Sequence, residues 1–278
     1  MNRKWLPIFL FLPILLFCFY LQKNKNLEIV FCDVGQGDAI LIKSFWGQNI
    51  LIDGGPNSRI LECLDDNLPF WDKKIDLMIL THPHDDHVVG LIDVLKYYAV
   101  QEIIYTGIKF NSDNYNKWLA VASQERNIHL ADEISSIILG NNCWLQIFYP
   151  TLSINNTEIE NVNNASIVLM LFYGENRFLF MGDAEKEVEE YILTNNIDVK
   201  ADVLKIGHHG SDNSSSWDFL QAVQPKISII SVGQNNMFNH PSLLVLERLQ
   251  RLKSLILRTD INKTIHLFAN ISEIWLGG

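Results

Sequence analysis

The sequence predicts a mixed α/β domain in which two sheets pack inside layers of helices. Strand-like and helix-like runs alternate in both halves of the chain, the strand runs are short and separated by Gly-containing turns, and no repeat or long linker interrupts them after Asn26. The 278 residues, 48% hydrophobic and 19% charged, suffice for a sizeable buried core and exclude a disordered or collagen-like chain.

Residues 5–21 carry no charge, with Arg3 and Lys4 before them and Lys23 and Lys25 after. This is a membrane-insertion signal of borderline length, and as the only long apolar run it excludes a multi-span protein. Its end, Phe17-Cys18-Phe19-Tyr20-Leu21, offers no small residues for cleavage. An anchor or uncleaved signal over 1–26 is therefore expected, rather than a cleaved signal or a helix packed on the domain, ahead of a domain over 27–278. The α-amino group with Arg3 and Lys4 outweighs Lys23 and Lys25, which predicts a single-pass protein with its domain outside the cytoplasm.

Apolar runs at 28–33, 39–43 and 49–53 read as a meander that opens a sheet. A continuous buried-type strand follows at 75–80. Residues 90–98 place Leu91, Val94, Leu95 and Tyr98 at helical spacing. Further strands are predicted at 102–106, 143–148, 167–173, 177–181, 202–206 and 227–231. Helices are predicted at 184–194 and 241–252, the latter with Pro241 in its first turn. Residues 153–164 are polar and Asn-rich and read as a surface loop.

The domain holds 18 basic against 32 acidic residues, since all the acids and none of Arg3, Lys4, Lys23 and Lys25 lie within it. A net charge of −14 excludes a broad basic track for nucleic acid. Cys18, Cys32, Cys63 and Cys143 form no C-x-x-C pair and leave the redox compartment undecided.

The strongest chemical signal is Thr81-His82-Pro83-His84-Asp85-Asp86-His87, directly after the strand ending at Leu80. Packing asks for apolar side chains, and so many hydrogen-bonding groups at a strand end are costly unless a cation satisfies them. The bland alternative is a solvated polar loop. His82 and His84 are two residues apart, so on an extended backbone they project to one side and can grip one ion together. Asp86 and His87 follow as the chain turns into a helix and point toward a second position, so two adjacent metal sites fit the spacing better than one. Zinc and manganese both suit such mixed ligands.

The order H-x-H-x-D-H after a hydrophobic strand resembles the signature of the metallo-β-lactamase fold superfamily. Asp33-Val34-Gly35-Gln36-Gly37-Asp38-Ala39, Leu51-Ile52-Asp53-Gly54-Gly55, Gly182-Asp183-Ala184 and Gly207-His208-His209-Gly210-Ser211 resemble segments of the hydrolase domain of ComEC-type DNA-uptake proteins. So do Asn239-His240-Pro241 and Arg258-Thr259-Asp260. The resemblance covers nearly the whole chain after residue 26. It implies a four-layer αββα sandwich preceded by one hydrophobic helix, itself similar to the last membrane helix before that domain. Transport is not implied, because the family's channel-forming helices have no counterpart here.

The resemblance also implies roles. Asp183 would bridge two metals, although an Asp between a strand and a helix can instead cap the helix. His208 or His209 would complete the second site, with His208 expected to bind and His209 to face substrate. Asp53 would orient a metal-binding His through its free ring nitrogen rather than merely stabilise a turn, and Asp38 would support the metal loop similarly. His240 would cap the last helix or reach a substrate phosphate, while His129 reads as surface or packing. Many superfamily members supply a third His to the first site, where this chain reads Asn163-Asn164-Ala165-Ser166. That site would have only His82, His84, the bridge and water, with Asn164 or Ser166 near its open position.

Two divalent ions about 3.5–4 Å apart would hydrolyse a bond without a covalent enzyme intermediate. Asp86 would hold the second ion and orient the water, leaving His209 and His240 as available acids. Ser211, Ser214, Ser215 and Ser216 would offer donors to an anionic substrate. Lys205 and Arg258 would supply local attraction. The family commonly has a Lys after the His-His-Gly-Ser segment, whereas this chain has Asp212 and Asn213.

The expected function is thus a membrane-anchored phosphodiesterase or nuclease with two divalent ions, acting on DNA or another phosphodiester and needing no obligate protein partner. The alternatives are a hydrolase of a small lactone or lactam, separable by comparing a chromogenic lactam with a phosphodiester, and a non-catalytic envelope protein that retains the fold as a binding module, which undetectable metal after chelator-free purification would favour.

Overall fold

A computed structural model describes residues 26–125 and 127–277. The apolar stretch at 5–21 lies outside them, and no described helix is long and apolar enough to cross a membrane. In the first half, β1 (Leu27–Phe31), β2 (Ile40–Lys43) and β3 (Asn49–Ile52) precede α1 (Arg59–Asn67) and β4 (Lys74–Ile79). Then come α2 (Asp85–Tyr97), β5 (Ala99–Tyr105), α3 (Asp113–Ala122) and β6 (Ile128–Leu130). The second half begins with β7 (Ser136–Gly140), β8 (Cys143–Tyr149), β9 (Val168–Tyr173), β10 (Asn176–Phe180), α4 (Lys186–Thr194) and β11 (Val203–Lys205). It continues with α5 (Trp217–Val223), β12 (Ile227–Ile230), α6 (Leu243–Arg251), β13 (Leu255–Arg258), α7 (Thr259–Asn262), β14 (Ile265–Ala269) and β15 (Ile274–Leu276).

The strands form two sheets, ordered β15-β14-β1-β2-β3-β4-β5-β6 and β13-β12-β11-β10-β9-β8-β7. Alternation along each strand divides the apolar side chains between the two faces. Ile29, Phe31, Leu169, Leu171 and Phe180 fill the space between the sheets. Val30, Leu41 and Met78 face outward against Leu64, Leu91 and Trp118 of α1, α2 and α3. Met170, Leu179 and Leu204 face outward on the other side against Ile192, Leu220 and Leu249 of α4, α5 and α6. Each such side chain, fully buried, contributes about 1.5–3 kcal/mol. Burial on both faces explains why these strands read as continuous apolar runs.

The C-terminal β14 returns to pair antiparallel with β1, Leu27 opposite Ala269. Within each sheet one block is parallel: β3 to β4 to β5 to β6, and β10 to β11 to β12 to β13. In parallel blocks the loops after the strand C-termini share one rim, and ligands bind there.

The predicted strands match the observed ones to within a few residues, and the helix predicted at 90–98 begins earlier, at Asp85. The last long helix begins after Pro241, because the Ser242 side chain accepts from the Val245 amide and makes Ser242 the cap. At α4 the flanking residue is Glu185, so Asp183 is not its cap. A disulfide joins Cys32, just past β1, to Cys63 on α1, a pairing that spacing alone does not reveal.

Candidate metal centre

Asp53 follows β3, residues 81–87 follow β4, Asp183 follows β10, and His208 and His209 follow β11, so all of them gather at one rim. The backbones there pack closely. A Cβ on Gly54 would lie 2.5 Å from the Leu91 amide nitrogen, and one on Gly90 would lie 1.9 Å from the Gly54 carbonyl. Only glycine at both positions lets the turn after β3 lie on α2, which delivers Asp53 to His87.

Asp53 Oδ2 lies 2.8 Å from His87 Nδ1. Thr81 holds that carboxylate, donating from its amide to Oδ1 at 2.8 Å and from Oγ1 to Oδ2 at 2.7 Å. His209 Nδ1 lies 2.9 Å from the Ser231 carbonyl, to which it donates. Both rings are thereby fixed with Nε2 inward. His87 Nε2 lies 3.3 Å from Asp183 Oδ2, and His209 Nε2 lies 3.3 Å from both Asp183 Oδ2 and Asp86 Oδ2. These contacts are close but not aligned as hydrogen bonds, for both Nε2 atoms and Asp183 Oδ1 are buried without a hydrogen-bond partner.

Ligand atoms of Asp86, His87, Asp183 and His209 lie within 4.8 Å of one another. Buried, unpaired nitrogens and oxygens are expensive; several aimed at one point are what a bound cation requires. The residues therefore fit a divalent ion. Beside them, His82 Nε2 lies 3.1 Å from His84 Nδ1 and 3.8 Å from Asp183 Oδ2, so Asp183 faces both groups of imidazoles.

Electrostatics separates the two groups. Burial opposes charge on His87, but Asp183, Asp53 and Asp86 outweigh it and hold that imidazole well above its usual range. The same balance, set by Asp183, Asp38 and Asp86, raises His209. Burial favours a neutral Asp183, yet His209 and His87 hold it well below the usual carboxylate range. His82 and His84 are depressed, chiefly by burial. Cation binding at the first group displaces protons, as metal sites generally require.

Asp38, Asp53 and His87 also cluster within 4.8 Å. Asp53 is committed to Thr81 and His87, and Asp38 Oδ2 lies 2.7 Å from Lys205 Nζ, so this second cluster braces the first. Asp38 Oδ1 also lies 3.4 Å from His209 Nδ1.

Several expectations need correction. The imidazole brought to Asp86 and Asp183 belongs to His209, not His208. Both residues have left-handed backbone, φ 46° and 52°, and this double reversal turns His209 inward and His208 toward Glu185. His208 Nδ1 lies 2.9 Å from Glu185 Oε1, which also accepts from Asn163 Nδ2 at 2.8 Å. Lys205, expected to attract substrate, is fully buried and bonded to Asp38 and the Ile206 carbonyl. Arg258 is paired with Asp260.

Asn164 binds Glu187 and the Glu185 amide rather than an open metal position. Ser166 Oγ accepts from the Asp183 amide at 3.0 Å, and so positions Asp183. Ser211 accepts from the Asn213 amide, Ser214 donates to the Gly207 carbonyl, and Ser216 caps α5. The serine run is thus largely spent inside the fold. His240 lies half-buried with its ring 5.4 Å from that of His208. Burial, with help from the charges of His208 and His209, lowers it to about 4, so it is neutral at pH 7. His129 is half-buried on β6.

Thr81, Glu185, Asn163 and Ser231 also belong to the site, and sequence reasoning missed them. A hydroxyl next to the His cluster is the signal for Thr81; the others are joined to the site only by the tertiary fold.

The family model described as the metallo-beta-lactamase superfamily matches residues 32–234, and the chain belongs to that superfamily. Among curated proteins it is similar to ComE operon protein 3 of Bacillus subtilis (strain 168), 32% identical over 86% of this chain and 32% of that one. It is also similar to Recombination protein 2 of Haemophilus influenzae, 31% identical over 91% of this chain and 31% of that one. The chain spans about a third of the length of these relatives. Among solved structures, Igni18, a metallo hydrolase from Ignicoccus hospitalis, aligns with a TM-score of 0.53 at 14% identity, covering 86% of this chain and 98% of that one. At that identity the likeness shows the fold alone.

Proposed function

We propose that this chain is a metal-dependent phosphodiesterase or nuclease acting on DNA, with residues 27–278 as its hydrolase domain. The observation that carries this reading is the convergence of unpaired His87 Nε2, His209 Nε2 and Asp183 Oδ1 beside Asp86, His82 and His84. Asp86, His87 and His209 would hold one divalent ion, His82 and His84 a second, with Asp183 between them. Such ions, when bound, polarise a phosphoryl oxygen and lower the pKa of water.

The chain's own residues do the rest. Asp53 and Ser231 fix the tautomers of His87 and His209. Asp86 is the half-open acid of the cluster; burial opposes its charge, but His87 and His209 keep it ionised, able to accept a hydrogen bond from an incoming water. His208, oriented by Glu185, and His240, a neutral ring, stand at the rim where a substrate would lie. A DNA substrate is supported by likeness to ComE operon protein 3 and Recombination protein 2. The acidic surface favours a short contact at the centre over a long basic track.

The N-terminal apolar segment would anchor the domain outside the cytoplasm, and a disulfide such as Cys32–Cys63 persists in oxidising compartments. Divalent-dependent cleavage of single-stranded DNA or a bis-aryl phosphodiester is expected, and His84→Ala abolishes it. A metal-loaded chain that cleaves neither, while opening a chromogenic lactam, contradicts the reading.

A further inference from the structure

A cleft of about 800 Å³ opens beside the metal centre, between one wall at 105–119 and another at 156–162. Its size is within the usual range for small-molecule sites. The two walls are stitched by backbone bonds, from the Lys109 amide to the Thr157 carbonyl and from the Asn156 amide to the Gly107 carbonyl, each 2.8 Å. The cleft is therefore largely preformed. Both walls run into the centre. On the first, the Phe110 ring lies 5.5 Å from that of His84, and Ser112 and Asn114 bind Asp85. On the second, Val162 opens the short helix Val162–Ala165 that carries Asn163 to Glu185 and His208.

The lining is mixed, with acids outnumbering its one base. Phe110 and Leu119 give apolar faces, Asn111 and Asn116 give amides, Glu158 and Glu160 give carboxylates, and Lys109 gives an ammonium. Carboxylates repel a phosphate backbone but accept N–H groups. An aromatic face beside amide and carboxylate groups matches a planar heterocycle with mixed donors and acceptors along its edge. We propose that this cleft is a nucleobase subsite, which seats the base next to the scissile phosphodiester with Phe110 stacked on it. The proposal rests on the phosphodiesterase reading for its place in turnover, but binding of the base does not depend on hydrolysis.

The full chain with its metals is tested with two diesters that share one leaving group, thymidine 5′-(p-nitrophenyl) phosphate and methyl p-nitrophenyl phosphate. Wild type is expected to prefer the nucleoside diester in kcat/KM. Phe110→Ala is expected to lower that preference about tenfold, the scale of one stacked base, and Phe110→Trp to restore it. Separately, a thymidine titration followed by protein NMR shifts, with no phosphate on the ligand, is expected to weaken about tenfold in Phe110→Ala and recover in Phe110→Trp. No wild-type preference, or a preference and a titration both indifferent to Phe110→Ala, overturns the subsite. Turnover of neither diester by wild type, with Phe110-dependent thymidine binding intact, removes the phosphodiesterase reading and leaves the subsite standing.

Discussion

At His209 the ring is held from behind by the Ser231 carbonyl and meets Asp86 and Asp183 in front, whereas its neighbour His208 turns away to Glu185. The two histidines therefore behave differently on truncation. His209→Ala should weaken binding of zinc or manganese at least tenfold in a calorimetric titration, while His208→Ala should leave metal affinity within about threefold. Behind them, Lys205 and Asp38 form an ion pair with both side chains buried. Removing one partner of such a pair leaves an uncompensated charge and costs about 3–5 kcal/mol, so Lys205→Met should lower the denaturation midpoint sharply. The residue types that build the centre are legible in the sequence, because imidazoles and carboxylates crowded at a strand end serve packing poorly and a cation well. Which of two adjacent histidines turns inward is not, for that depends on two consecutive left-handed residues. Nor is the neutralisation of a buried acid by Lys205, because a lysine between apolar neighbours reads equally well as a ligand for anions.

Among the elements, the central strands are legible, whereas β6, β7, β13, β14, β15 and several helices are not. Runs such as those of β4 and β9 are apolar on both faces because helices cover one side and the opposite sheet the other. Helix α1 carries its pattern in Ile60, Cys63 and Leu64, a short apolar stripe among acids, and is inconspicuous beside the louder motif after β4. Helix α5 is hidden by its own cap, since Ser216 sits in a serine run that invites a substrate-binding interpretation. Helix α1 is also tied covalently to the end of β1 by Cys32–Cys63, which closes a loop of 31 residues. Closing a loop of that size stabilises by about 2–4 kcal/mol. Replacing both cysteines by alanine should lower stability by that amount in urea titrations, and a reductant should then lower the wild type but not the variant.

For the whole molecule, the parallel blocks of two sheets meet at one rim, and the chain supplies that rim from four strand ends far apart in sequence. This explains why single segments such as Leu51 to Gly55 or Gly182 to Ala184 carry weak signals individually but point to one fold when read in order. The acidic domain surface and a compact centre together favour a substrate held by a few groups over one wrapped along a track. Asp183 is the residue on which a paired-ion centre depends, because it faces the imidazoles of both groups. The most direct test is a calorimetric titration of chelator-treated chain with zinc or manganese, comparing wild type with Asp183→Asn. Two ions per chain in the wild type, and at least tenfold weaker binding of both in the variant, are the predicted result. A wild type that takes up no metal, or a variant that binds as the wild type does, contradicts a metal centre built around Asp183.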